Sequence, residues 1–410
     1  MKNYSRIIFA ILCCLSVSVA GAQERIYQDN LQAKLEGEVT SKRQNAATSK
    51  ISPEFRPSKE LAGRVEFWKL VLGKYDKTQA VIHHRLYPQI IYSVLDFSDL
   101  QAKPAAKVYA KLRERAVEKE KDRVRLALLA LAQGKAPSDE LEKRIVQLFR
   151  EIPGNKSRLY KTSAAGEMVR SQTGIRDQFE AGLRRSGRYL YAIERIFRER
   201  GLPWEISRLP LVESSFNYEA YSSVGAAGIW QFMRSTGKRF LNITSNIDER
   251  RDPIRASHAA ARYLSLAYED LEAWPLAITS YNHGVSGVLK AIRETGSRKI
   301  ERIIDEYENP TFGFASSNFF ASFLAALDLE QNSEQYFPGL RRDEPWYFDE
   351  YQVARSMKIS EVERLTGVTR GDLERLNPNF LKPVWQGRAN VPAGYTVRIP
   401  PKTAKISDKS

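Results

Sequence analysis

One acid in this 410-residue chain stands where a proton donor would have to stand. Glu213 follows Leu209, Pro210, Leu211 and Val212 and precedes Ser214, Ser215 and Phe216, so its sequence neighbours are apolar or small. A general acid must keep its proton near neutral pH, and an apolar setting achieves this by raising the carboxyl pKa. An acid that merely caps a helix end is an equally ordinary reading of the same residues. Asp248 and Glu249 are the candidates for a second carboxylate. Placed about 5–5.5 Å or about 6.5–9.5 Å from Glu213, either would make a retaining or an inverting hydrolase. Asp252 before Pro253 reads as a helix N-cap followed by proline at the first helical position. Gly284-Val285-Ser286-Gly287 misses the nucleophile-elbow order and has no strand before it, which argues against a serine hydrolase. His83 and His84, adjacent on a predicted strand, point to opposite faces and cannot chelate one ion together. With four histidines in all, neither a metal nor another cofactor is called for.

These residues need elements to position them. Apolar residues from Leu61 to Leu72 recur at helical spacing within 59–75, and the β-branched and aromatic runs 79–84 and 89–97 around Tyr87-Pro88 predict a short hairpin. Helices are expected over 105–132 and 138–150, the second capped by Ser138. The basic residues between Lys107 and Arg125 alternate with acids, as on a solvated helix face, and no nucleic-acid module is present. One long helix is predicted over 177–200, ending at Gly201, and helical patterns continue to about Leu329. The last segment reads strand, helix, helix, strand over 351–354, 359–366, 370–376 and 395–399.

Length and composition frame the rest. The chain is long enough for two or three domains, and 42% hydrophobic with 28% charged residues excludes a collagen-like or wholly disordered protein. The excess of 64 Lys and Arg over 49 Asp and Glu favours anionic partners. Lys2 and Arg6, the apolar run 7–19 and Ala20-Gly21-Ala22 fit a secretory signal peptide, so an exported protein is expected. Both cysteines, Cys13 and Cys14, lie inside that run, and the exported part would have no disulfide to lean on.

Four ordered motifs within about eighty residues resemble those of the family 1 lytic transglycosylases of bacterial cell-wall metabolism, in particular the group of membrane-bound lytic murein transglycosylase D. They are Glu213-Ser214-Ser215-Phe216 with Ala220 and Ser222; the run from Gly225 through Trp230 to Met233; the run from Asp248 to Pro253; and Ser280-Tyr281-Asn282-His283-Gly284. The resemblance implies a goose-lysozyme-like helical domain that cleaves the β-1,4 bond between N-acetylmuramic acid and N-acetylglucosamine without water. Glu213 would be the single acid/base and 1,6-anhydromuramyl ends the product. By position in the motifs, Ser222, Ile229, Trp230, Gln231, Tyr281 and Asn282 would bind or wall the substrate, and Ser214 would support the acid. Phe319 stands where many relatives carry a tyrosine, so a hydroxyl is missing there.

The carboxy-terminal segment resembles a divergent LysM module through Leu373, Leu376-Asn377-Pro378 and the run 395–400, although Arg355-Ser356-Met357 replaces the usual opening. The expected fold is therefore mainly α. It comprises a signal peptide (1–22), a flexible leader (23–58), a helical region with a β-hairpin (59–174), the transglycosylase domain (175–345), a βααβ LysM-like domain (346–401) and a tail (402–410). The expected partners are peptidoglycan glycan strands and not nucleic acid. The protein is expected as a periplasmic or envelope-associated monomer, with peripheral membrane association open. A muramidase-type hydrolase and a non-enzymatic peptidoglycan-binding scaffold are the rival readings.

Overall fold

The computed structural model describes residues 25–26, 51–100 and 106–401, which are mainly helical. The segment read as a signal peptide and the tail 402–410 lie outside the described residues. No described helix is long and apolar enough to cross a membrane. The chain divides into two compact units, one of residues up to Glu180 with Ala267–Leu340, the other of Ala181–Leu266 with Arg341–Ser410.

In the first unit the helix Phe314–Gln331 is buried along nearly its whole length, because Phe319, Phe320, Phe323, Leu324, Leu327 and Leu329 leave it no polar face. Against it lies the helix Lys59–Gly73, capped by Ser58. Gly73 permits close approach, since a Cβ there would stand 2.8 Å from the Leu329 side chain. Asn318 Oδ1 accepts from Arg64 at 3.3 Å and Trp68 at 3.4 Å, and Lys69 pairs with Asp328 at 2.7 Å. Of the expected leader, residues 51–58 are described, and they pack through buried Ile51 and Phe55.

The hairpin forms, but as part of a larger sheet. Strands β1 (Arg25–Ile26), β2 (Gln79–His84), β3 (Ile91–Asp96) and β4 (Val169–Thr173) are antiparallel in the order β1-β3-β2-β4. Val169–Thr173 holds one large apolar residue, too little for the strand to be read from alternation. Ile82, Tyr92 and Val169 share a core with Val124, Leu128 and Ile145 from the helices Ala106–Ala132 and Glu140–Leu148, and with Phe149, which caps the end of the second. Asp139, not Ser138, caps the latter by accepting from Glu142 N at 2.8 Å, while Ser138 donates to the Glu142 carboxylate. His83 and His84 are buried. His84 Nδ1 accepts from Leu86 N and Tyr87 N at 3.1 Å each.

The long helix expected over 177–200 is two helices, Arg176–Ser186 and Leu190–Glu199. The break falls at Gly187, where the chain at Asp343 passes so closely that a Cβ would sit 2.1 Å from its carbonyl oxygen. The C-terminal segment forms β5 (Asp349–Gln352), the helices Ile359–Thr366 and Arg370–Leu376, a further turn of helix at Lys382–Trp385, and β6 (Thr396–Ile399) antiparallel to β5. Its core of Val353, Val362, Leu373, Phe380 and Val397 also contains Ile247. Ile247 and Phe380 form a β-bridge, so this segment is joined to the chain just before Asp248.

Candidate active site

Glu213 is the last residue of a one-turn helix, Pro210–Glu213, that begins with proline one residue after a 3-10 turn, Trp204–Arg208. The helix stops because the next residues leave the right-handed region: Ser215 and Phe216 have φ of 51° and 55°. Two consecutive non-glycine residues in the left-handed region cost on the order of 1 kcal/mol or more each, and surrounding contacts must hold them. Phe216 is fully buried and stacked on Tyr189 at 6.4 Å, and the Arg185 guanidinium donates to Ser215 O at 2.7 and 3.1 Å. The strained turn therefore fixes where the acid is presented.

Glu213 is neither exposed nor fully shut off from solvent. Desolvation by its surroundings pushes its carboxyl up to about 8, from an ordinary glutamate value near 4.5. The group is thus mostly protonated at neutral pH, as a proton donor must be. Ser214, next to it and buried, donates from Oγ to Ile229 O at 2.8 Å.

That bond reaches the loop of the second motif, which is tied to itself. Ser222 Oγ accepts from Ala226 N at 2.9 Å, and Gln231 Nε2 donates to Gly228 O at 2.8 Å and Ala220 O at 3.3 Å. Gln231 has φ of 47°, a third strained position. Gly228 (φ 77°) lies against Arg250, whose carbonyl oxygen would be 1.7 Å from a Cβ, so no side chain fits there. Ile229 and Trp230 are wholly buried. Trp230 stacks on Phe197 at 5.6 Å and donates from Nε1 to Ser257 Oγ at 2.8 Å. Their side chains anchor the loop from behind.

The two candidate second carboxylates, Asp248 and Glu249, and the N-cap Asp252 are already engaged. Asp248 accepts from Arg250 Nε at 2.9 Å and Nη2 at 2.7 Å. Glu249 accepts from Asn242 N at 2.7 Å and Tyr395 Oη at 2.8 Å. Asp252 accepts from Ile254 N and Arg255 N at 2.9 Å each, as the expected N-cap, and from Arg398 at 2.6 Å. Among the described residues no group of three or more His, Cys, Asp or Glu could hold a metal ion.

Tyr281, Asn282 and Phe319 belong to the first unit. Tyr281 and Asn282 lie at the end of the helix Trp274–His283, both partly accessible. Ser316 donates to Asn282 Oδ1 at 2.8 Å, which orients the carboxamide, and Asn282 Nδ2 is buried without a partner. Phe319 is buried in the helix Phe314–Gln331. Arg250 and Ser316 were not singled out by sequence reasoning. For Arg250 the available signal was its place in the third motif, the run from Asp248 to Pro253.

Residues 191–304 match the family described as the transglycosylase SLT domain, and this span contains Glu213. Over 194 residues the chain is 30% identical to membrane-bound lytic murein transglycosylase D of Escherichia coli K12, covering 46% of this chain and 42% of that protein. The same protein of a second Escherichia coli strain matches equally. The chain thus spans less than half the length of these curated relatives. Among solved structures, an inactive mutant of the lytic transglycosylase Slt from Pseudomonas aeruginosa aligns with 56% of this chain and 36% of its own, at 17% identity and a TM-score of 0.30. Over residues 191–304 the chain thus resembles the transglycosylase SLT domain, and over the shared part it resembles membrane-bound lytic murein transglycosylase D.

Proposed function

We propose that the protein is a peptidoglycan lytic transglycosylase with Glu213 as its single acid/base. The observation that carries this reading is the Glu213 carboxyl, raised to about 8 by desolvation and lying inside the SLT match. In its protonated form Glu213 gives its proton to the glycosidic oxygen between N-acetylmuramic acid and N-acetylglucosamine as the C1–O bond breaks. The resulting carboxylate takes the proton of the muramyl C6 hydroxyl while that oxygen bonds to C1. The acid is restored, no water is consumed, and a 1,6-anhydromuramyl end is released. The internal hydroxyl is already held on the sugar, so its effective concentration is high and a second protein carboxylate is not required. The engagement of Asp248, Glu249 and Asp252 in ion pairs and hydrogen bonds supports a single-carboxylate mechanism.

Ser222 and Gln231 shape the loop that meets the sugar, Ile229 and Trp230 anchor it, and Ser214 supports the acid. Tyr281 and Asn282 are assigned to substrate by their motif, with Phe319 as a supporting residue that lacks the hydroxyl of its counterparts. The catalytic part is read as goose-lysozyme-like, and the β5–β6 segment as a divergent LysM-like glycan-binding module. The protein would be exported to the envelope, with peptidoglycan strands as its partner.

One experiment tests the reading. Sacculi are incubated with the protein or with Glu213→Gln, and the sugar ends are examined by mass spectrometry. Anhydro ends formed only by the parent are expected. New reducing ends would make it a muramidase-type hydrolase, and intact glycan with retained binding a scaffold.

A further inference from the structure

Arg250 is 1% exposed, and its guanidinium donates four hydrogen bonds. Asp248 grips it from one side through two parallel bonds, at 2.9 and 2.7 Å. From the other side Nη1 donates to Gly225 O at 2.6 Å and Phe232 O at 3.0 Å, the two ends of the loop that carries Ile229, Trp230 and Gln231. The Arg250 backbone carbonyl meets the middle of the same loop at Gly228. A rigid planar fork can bridge a carboxylate and two carbonyls at once, which an ammonium cannot do in the same geometry.

The strip that bears Arg250 is in turn held by the C-terminal residues of the same unit. Asp248 N donates to Asn379 O at 2.8 Å. Tyr395 Oη donates to Glu249 at 2.8 Å and accepts from Asn379 Nδ2 at 2.9 Å. Arg398 forms a buried pair with Asp252 at 2.6 Å. Arg255 donates to Thr396 O at 2.8 Å and lies over the Tyr395 ring at 4.6 Å. Contacts this numerous and this buried are unlike those of a module on a flexible tether.

We infer that Arg250 is the positioning residue of the 225–232 loop and that the C-terminal segment, through Tyr395 and Arg398, holds Arg250 in place, so that this segment governs turnover besides any glycan binding. The inference rests on the proposed function for its effect on turnover, but not for its effect on the loop. Arg250 touches no reacting atom. It acts through the loop and through the Ser214 bond to Ile229.

The test uses the full chain and two variants, Arg250→Lys and Tyr395→Phe, the second removing a single hydroxyl about 2.8 Å from Glu249. Amide hydrogen exchange is followed in peptides spanning 220–232, together with kcat and KM on sacculi. Faster loop exchange in both variants is expected, by about tenfold for Arg250→Lys and severalfold for Tyr395→Phe, which is the size of change produced by losing about one hydrogen bond. Turnover is expected to fall by similar factors with KM little changed. Loop exchange equal to the parent in Tyr395→Phe overturns the inference, whatever Arg250→Lys does. A parent that forms no anhydro ends overturns the function, while the exchange result still decides the clamp.

Discussion

Ser214 and Ile229, fifteen residues apart, are joined by a 2.8 Å bond from the serine hydroxyl to the isoleucine carbonyl. Through it the residue beside the acid is tied to the loop of the second motif, so the two sequence motifs behave as one piece of structure. Ser214→Ala leaves the Ile229 carbonyl without this donor in a buried setting. A loss of about 1–2 kcal/mol in stability is expected, measured by urea unfolding, with a fall in turnover beyond what KM explains.

On the proposed function, the raised pKa of Glu213 gives the activity a basic limit. The proton needed by the leaving oxygen is present below about 8 and is lost as pH rises through that value. Formation of anhydro ends is expected to decline across that range. Glu213→Gln, which cannot exchange the proton, is expected to lose about 10²–10⁴-fold in rate at every pH. A basic limb set near 5 would contradict the desolvated site.

The same group makes stability depend on pH with a defined sign. Between the unfolded value near 4.5 and the folded value of about 8 the folded chain binds the extra proton. Stability is therefore penalised increasingly as pH rises across that window, and the penalty is complete above it. Glu213→Gln removes the ionisable group. It is expected to be more stable than the parent at pH 8–9, by on the order of a few kcal/mol and so with a higher unfolding temperature, and to be nearly equal to it at pH 4. Thermal unfolding of both proteins across pH reads the difference directly.

Two glycines of the loop should respond differently to a methyl group. Gly228 and Gly225 both have positive φ, 77° and 88°. At Gly228 the added Cβ would be 1.7 Å from the Arg250 carbonyl, whereas at Gly225 the nearest atom is the Tyr221 hydroxyl at 3.8 Å. Gly225→Ala is expected to cost about 1–2 kcal/mol from backbone strain alone. Gly228→Ala must in addition displace backbone, so a loss larger than that, or failure to fold, is expected in the same unfolding assay.

Much was legible in the chain because it depends on neighbours in sequence. The helix over 59–73 follows from apolar spacing, the pairing of 79–84 with 91–96 from β-branched residues about a turn, and the Asp252 cap from its proline. The candidate acid was visible for the same reason: the residues flanking Glu213 are apolar within its own segment. What required the tertiary structure was whatever depends on parts of the chain far apart in number. The break at Gly187 comes from the passing backbone at Asp343, and the strand Val169–Thr173 exists because β2 offers it an edge. Trp230 and Gln231 sit side by side in the motif, yet the fold buries one and bends the backbone of the other into a left-handed turn. Asp248 and Glu249 read as spare carboxylates until the fold sets Arg250 on the first and brings Tyr395 to the second. Periodicity and local composition report the burial of a segment, but a hydrogen bond across more than a hundred residues leaves no local pattern, because its two halves are chosen separately and meet only when the chain is folded.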